Sequence, residues 1–269
     1  MTWDFISGDK LMKQFTDKSK KHILLMIIFA VSAFSLTGCN FNEFSEKFND
    51  NFIKEQRYQY ILDGLKNTFI ITILAGLIGV FLGFILAVIR VTHDKKGSLK
   101  ILDLVAKLYL TVIRGTPVMV QLIIIYYVIF ASVNINKILV AVIAFGLNSA
   151  AYVAEIIRSG IMSIDIGQFE AGHSLGLKYS TVMVSIILPQ ALKNVLPALA
   201  NEFITLLKET SISGYIGLSD LTRGGMIIRS ITYEAMFPLL LVAFIYLVLV
   251  VGLSSLVSKL ERSLKKNER

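Results

Sequence analysis

Residues Glu170-Ala171-Gly172-His173-Ser174-Leu175-Gly176, followed after nine further residues by Ile186-Ile187-Leu188-Pro189, form a polar island in an otherwise membrane-grade chain. The stretch from Ile166 to Leu175 is long enough for about two and a half helical turns. Gly176 then supplies a residue that takes a left-handed conformation without steric cost and stops the helix. Apolar sequence resumes at Val182-Met183-Val184-Ser185-Ile186-Ile187-Leu188 and meets Pro189, which a membrane helix accepts near an end or at a kink. The spacing predicts a helical knob with a sharp exit, held between two membrane spans and presented to another protein.

Around this knob the composition is that of an integral membrane protein. The chain has 269 residues, 55% of them hydrophobic, and a mean hydropathy of +0.68, too apolar for a soluble domain of this length. Its apolar runs far exceed the roughly 10 alternating residues of a barrel strand, so the fold class is an all-α polytopic membrane protein. One cysteine and three histidines leave no material for a disulfide framework or a metal cluster.

Five spans are expected. The first, from about Ile61 to Ile89, carries Gly64, Gly76, Gly79 and Gly83 as a small-residue face for close helix packing. The second is tilted or broken: an amphipathic stretch from Ile101 to Ile113 ends at Arg114-Gly115-Thr116-Pro117, and a strongly apolar run follows from Val118 to Val133. The third covers about Ile138 to Ile157, where Glu155 and Arg158 stand three residues apart and can pair on one helix face near the inner surface. The fourth runs from Ile186 or Leu192 to Leu207 and contains Glu202. An ionisable group at such depth faces protein or water, either in a functional role or as a partner for Asn201 or a third-span residue. Residues 212–234, with four glycines, form an outer segment suited to a helical hairpin or gate, and the fifth span is Ala235 to Leu256.

The spacing Glu-Ala-Gly-x-x-x-Gly, nine residues, then Ile-x-Leu-Pro resembles the signature loop of permease subunits in type I ABC importers. Gly172 departs from the alanine usual at its position and is expected to loosen the helix by roughly 1 kcal/mol. Arg114-Gly-Thr-Pro followed by Val-Met-Val-Gln-Leu, and the stretch from Asn148 to Arg158, are similar to the polar amino acid branch (histidine, glutamine and arginine type). The resemblance covers about residues 58 to 262. It implies a five-helix importer core whose coupling loop, residues 163–185, docks on ATPase subunits through Glu170, Ala171, Gly172 and Gly176, with Ile186, Leu188 and Pro189 at its root. It further implies a second permease subunit, identical or different, and an extracytoplasmic binding protein that delivers substrate. Asn148, Ser149, Tyr152 and Glu202 are the candidates for the substrate path. ATP is bound by the partner, and no cofactor or metal is expected in this chain.

Residues 1–39 depart from that pattern. A positive start, an apolar core from Ile23 to Leu36 and the ending Leu36-Thr37-Gly38-Cys39 make a signal-like hydrophobic segment, either a cleaved signal peptide or a retained signal anchor. Its end resembles the lipobox of bacterial lipoproteins, which makes Cys39 a lipidation candidate. Residues 40–60 carry Phe41, Phe44, Phe48 and Phe52 at helical spacing, as in an amphipathic segment along the outer membrane surface or a solvated linker. Residues 61–258 are the transmembrane domain, and 259–269 a basic cytoplasmic tail. In this scheme 13 basic residues fall on the inner side and 8 on longer outer stretches, in keeping with the positive-inside rule. The C-terminus is therefore placed inside a bacterial cell membrane, and the net charge of +8 needs no nucleic acid.

No Gly-rich phosphate loop followed by Lys-Ser or Lys-Thr occurs, so the chain is read as a transport subunit and not an enzyme. Two other classes fit a polytopic protein: a secondary, ion-coupled transporter, or a lipid-anchored structural or sensory membrane protein. Neither accounts for the loop around Glu170.

Overall fold

The computed structural model describes residues 41–266, all helix, turn and loop. The signal-like segment, Cys39 and the last three residues of the tail lie outside the described residues.

Helix α1 (Phe41–Phe48) and two short irregular turns lead to α2 (Tyr58–Lys96). Then come α3 (Lys100–Gly115), α4 (Val118–Ile124), α5 (Lys137–Met162), the short α6 (Ile166–Ser174), and α7 (Tyr179–Val182). A wide turn joins α7 to α8 (Leu188–Glu209), and α9 (Leu221–Thr232) and α10 (Met236–Lys266) complete the chain. Among the described residues, four stretches are long and apolar enough to cross a membrane: Tyr58–Lys95, Lys137–Met162, Tyr179–Ile216 and Met236–Leu264. A fifth forms if α3 and α4, which meet at a bend of 106°, are taken together. Five spans with a broken second one match the sequence expectation, although α2 and α10 run several residues further than their apolar cores.

Helix α5 is the centre of the bundle. In its most apolar stretch 72% of residues are buried, against 28% or less in the other three spans. Its sequence suits that position: Ala141, Ala144, Gly146, Ser149, Ala150, Ala151, Ala154 and Gly160 are all buried, and small residues let helix backbones approach where lipid offers no hydrophobic drive. The glycine face of α2 packs closely as expected, and two of its glycines, Gly79 and Gly83, meet α5. A β-carbon at Gly79 would stand 2.8 Å from Ser149 Oγ, and one at Gly83 would stand 2.6 Å from Val153 Cγ1.

The bend between α3 and α4 follows from Pro117, which lacks an amide hydrogen and sets extended geometry before it. The freed carbonyls do not go unpaired, because the buried Gln121 amide donates to the Ile113 and Thr116 carbonyls at 2.8 and 3.0 Å.

At the end of the bundle away from the Glu170 loop, α9 crosses α2 with backbone against backbone. A β-carbon at Gly64 would meet the Asp220 carbonyl, and one at Gly224 would meet the Tyr60 carbonyl. Asn67 Nδ2 donates to the Ser219 carbonyl at 2.8 Å, and the Leu221 amide donates to Thr68 Oγ1 at 3.1 Å. The aromatic ladder before α2 also packs here. Phe44 lies 5.5 Å from Phe237 between ring centroids, and Phe52 is buried with Ile61, Leu221 and Ile228. Residues 41–57 are thus folded onto the protein through part of the face expected to lie on the membrane surface.

Candidate functional site

The knob begins where Asp165 caps α6, its carboxylate accepting from the Gly167 amide at 2.7 Å. It ends at Gly176, whose φ of +74° lies in the left-handed region. The Leu177 amide there donates back to the Gly172 carbonyl at 3.2 Å, the closing bond of a helix that stops on a glycine. One face is rooted. Phe169 is buried, with Lys95 Nζ of α2 at 4.6 Å above its ring and the Tyr179 ring 6.3 Å away. The other face, Glu170, Ala171, His173, Ser174 and Leu175, is exposed. Ile187 is fully buried beneath, with Ile186 and Leu188 packed against the same cluster, while Pro189 sits exposed in the first turn of α8.

Gly172 corrects one expectation. The residue is buried, and a β-carbon there would stand 2.7 and 3.1 Å from the two γ-carbons of Val182. The missing methyl is replaced by a valine methyl from the far side of the loop, so the second glycine is a packing surface and not a loosened point. Sequence reading missed this because it weighs a glycine against its own helix and not against its neighbour.

Three of the four expected path residues lie on two adjoining faces of α5, and the fourth, Glu202, reaches one of those faces from α8. Ser149 Oγ donates to Glu202 Oε1 at 3.1 Å, and both line a half-open cavity of about 590 Å³ between α2, α5 and α8, with otherwise apolar walls. Asn148 instead donates to Glu209 Oε2 at 3.4 Å, and Tyr152 lies exposed below it with the Arg114 guanidinium carbon 5.8 Å from its ring centroid. Asn201 does not engage Glu202, since its amide donates to the Pro197 carbonyl.

An ion-pair network between α2, α3 and α5, at the end of the bundle that carries the knob, was only partly visible in the sequence. The pairing of Glu155 with Arg158 holds, at 2.6 Å. Arg158 also reaches Asp94 at 3.6 Å. Asp103 is almost fully buried and meets Arg90 at 2.7 Å, Lys107 at 2.8 Å and His93 at 3.3 Å. His93, Asp94 and Asp103 bring three possible ligand atoms within 4.8 Å, but Arg90 and Lys107 already occupy the oxygens of Asp103. The group reads as a staple between helices. No spacing rule announces pairs 10 to 64 residues apart.

Residues 79–266 match the family described as binding-protein-dependent transport system inner membrane component. The chain belongs to that family. It is 40% identical over 211 residues to the arginine transport system permease protein ArtQ of Bacillus subtilis, covering 78% of this chain and 94% of the relative. It is 38% identical over 210 residues to the putative glutamine transport system permease protein GlnP of Rickettsia prowazekii, covering 77% and 94%. The crystal structure of an amino acid ABC transporter with histidines superposes with a TM-score of 0.72 at 44% identity, over 79% of this chain and 98% of the other. An inward-facing MetNI methionine transporter shares the fold at a TM-score of 0.66 and 19% identity, over 77% and 97%. As a member of this family the chain is a multi-pass inner-membrane permease that works with a binding protein and an ATPase and is not itself the ATPase.

Proposed function

We propose that this permease moves polar amino acids in an ATP-driven importer and takes its power stroke through the loop around Glu170. The observation that carries the reading is the knob itself: a capped helix rooted by Phe169 and Gly172, with Glu170, Ala171 and the Leu175-Gly176 exit left bare. A rooted helix with one bare face transmits force to whatever docks on it. Kinship with arginine and glutamine permeases supports the substrate class. In this reading two ATPase subunits sit below, a second permease subunit stands alongside, the C-terminus is cytoplasmic, and a binding protein delivers substrate from outside. Closure of the ATPase pair rocks the spans between inward-open and outward-open states, past Asn148, Ser149, Tyr152 and Glu202.

Affinity purification of the tagged protein in mild detergent tests it. An ATP-binding subunit should come down with wild type and be lost with Glu170→Arg or Gly176→Trp, and absence of any ATPase from wild type would overturn the coupling role. Glu202→Gln should lower amino acid uptake with the ATPase still attached; unchanged uptake removes Glu202 from the path.

A further inference from the structure

The last two turns of α2 carry Arg90, His93, Asp94 and Lys95, four ionisable residues within six positions. Each reaches another element. Arg90 donates to Asp103 of α3 at 2.7 Å, and His93 Nδ1 lies 3.3 Å from the second oxygen of the same carboxylate. Asp94 stands 3.6 Å from Arg158 of α5. Lys95 turns to the knob, its ammonium 4.6 Å above the Phe169 ring of α6. Helix α2 then stops at Gly97, at a φ of +65°, where the Gly97 amide donates to the His93 carbonyl at 2.8 Å.

The sequence places Lys95 where a tie to the knob has to start. Ala87, Val91 and Lys95 recur every four residues on one face of α2. The first two are buried in the apolar cluster that holds Phe169, Val182 and Ile187, and Lys95 carries the same face past the edge of that cluster and over the ring. A lysine suits such an edge, because its stem covers apolar surface while its ammonium stays at the rim. Among the described residues Lys95 makes no ion pair, so the ring is the partner of its charge. Other roots of the knob lie within its own loop, where Gly172 meets Val182, and Phe169 and His173 meet Tyr179. Apolar burial is non-directional, whereas a cation is held over the face of a ring. Lys95 therefore adds position to what packing alone holds loosely, and its flexible stem keeps that hold while α6 settles on a partner.

We propose that Lys95 is a positioning residue for transport: it keeps α6 in register with the end of α2, so that a push on the knob moves α2 and, through Asp103, the broken second span with it. The assignment rests on the reading that α6 docks on an ATPase. Asp103 suits the onward step because it is almost fully buried and gripped also by Lys107 at 2.8 Å, which makes α3 follow α2 as one piece. Helix α3 ends at the elbow before Pro117, so the push arrives where the second span already changes direction.

The test reconstitutes the permease, its co-purified ATPase subunits and the binding protein in proteoliposomes. ATP hydrolysed and L-arginine, L-glutamine and L-histidine imported are measured in one preparation. Lys95→Gln, which keeps a polar side chain without the charge, should retain the ATPase and hydrolyse ATP within about twofold of wild type, while import per ATP falls roughly fivefold. Lys95→Arg, which keeps a cation for the ring, should bring that ratio back to within about twofold of wild type. A purely structural role would lower the yield of complex without moving the ratio in what remains. A wild-type ratio in Lys95→Gln, or a ratio in Lys95→Arg as low as in Lys95→Gln, overturns the assignment and leaves the docking reading standing. Loss of the ATPase from Lys95→Gln would make Lys95 part of the docking surface and overturns the assignment as well. A wild-type preparation without an ATPase overturns the docking reading and the assignment together, and one that hydrolyses ATP but imports none of the three overturns the amino acid reading and the assignment together.

Discussion

Two short helices interrupt the spans, one inner and one outer in the proposed topology, and they are held in opposite ways. The inner one, α6, touches its neighbours through side chains: a lysine over Phe169, a tyrosine ring beside it, and a valine methyl in the notch of Gly172. Half of its surface is bare. The outer one, α9, is fixed by main chain on main chain, at Gly64 and Gly224, and by a buried cap in which Asp220 accepts from the Thr222 and Arg223 amides at 3.0 and 3.3 Å. Side-chain contacts yield by rotation, whereas backbone contacts leave nothing to rotate. In the function proposed above, α6 is thus mounted for docking and α9 for position.

The contrast breaks first at the outer crossing. Gly224→Leu or Gly64→Leu must push two backbones apart, at a cost of about 3 kcal/mol or more, and should abolish recovery of monodisperse protein on size-exclusion chromatography. Recovery at wild-type yield would mean that α9 is no more fixed than α6. Gly172→Ala comes next, costing roughly 1–3 kcal/mol of local overpacking. It should weaken ATPase co-purification while the yield of folded permease holds, and Gly172→Ala with Val182→Ala should restore it. Failure of the double variant to rescue would show that Val182 is a bystander. Asn67→Ala removes one tie on the outer hairpin, worth about 1 kcal/mol, and should lower the thermal midpoint in detergent by a few degrees without touching ATPase attachment.

A further effect is one of pH. Burial pushes the Asp220 carboxyl from its ordinary 3.8 up to about 6, against the amide hydrogen bonds that pull it down. A carboxyl that holds its proton more tightly when folded favours the fold at low pH. Its contribution weakens as pH rises from near 3.8 through about 6. The thermal midpoint should decline across that window in wild type, and Asp220→Asn should flatten the slope. Identical profiles for the two proteins would remove Asp220 from the account.

The two regions also differ in how far they could be read from residue order. The knob is local: cap, turn of helix, stopping glycine and apolar root lie within about 25 consecutive residues, and the structure returns α6 within one residue of its expected end. The glycine face of α2 was likewise visible, because small residues at helical spacing in an apolar run have few other uses. The partners of those glycines were not. That Gly64 meets Asp220, that Asn148 takes Glu209 and not Glu202, and that Arg114 ends over Tyr152 depend on how distant helices cross. Periodicity names the face of a helix and is silent on what lies opposite. The Gly172 expectation failed for the same reason, since the compensating bulk sits ten residues away across a turn.

The length of α2 has a mechanical consequence. At 39 residues it extends about 58 Å, well beyond the bilayer's full thickness of about 40–45 Å. Lys95 at one end lies over the root of the knob, and Gly64 near the other is seated against the hairpin. The 31 residue steps between them make a rod of about 47 Å, and tilting such a rod by about 5° displaces one end against the other by about 4 Å. The bare face of α6 and the fixed hairpin at the far end are mounted on a single shaft, and neither can swing without the other registering it.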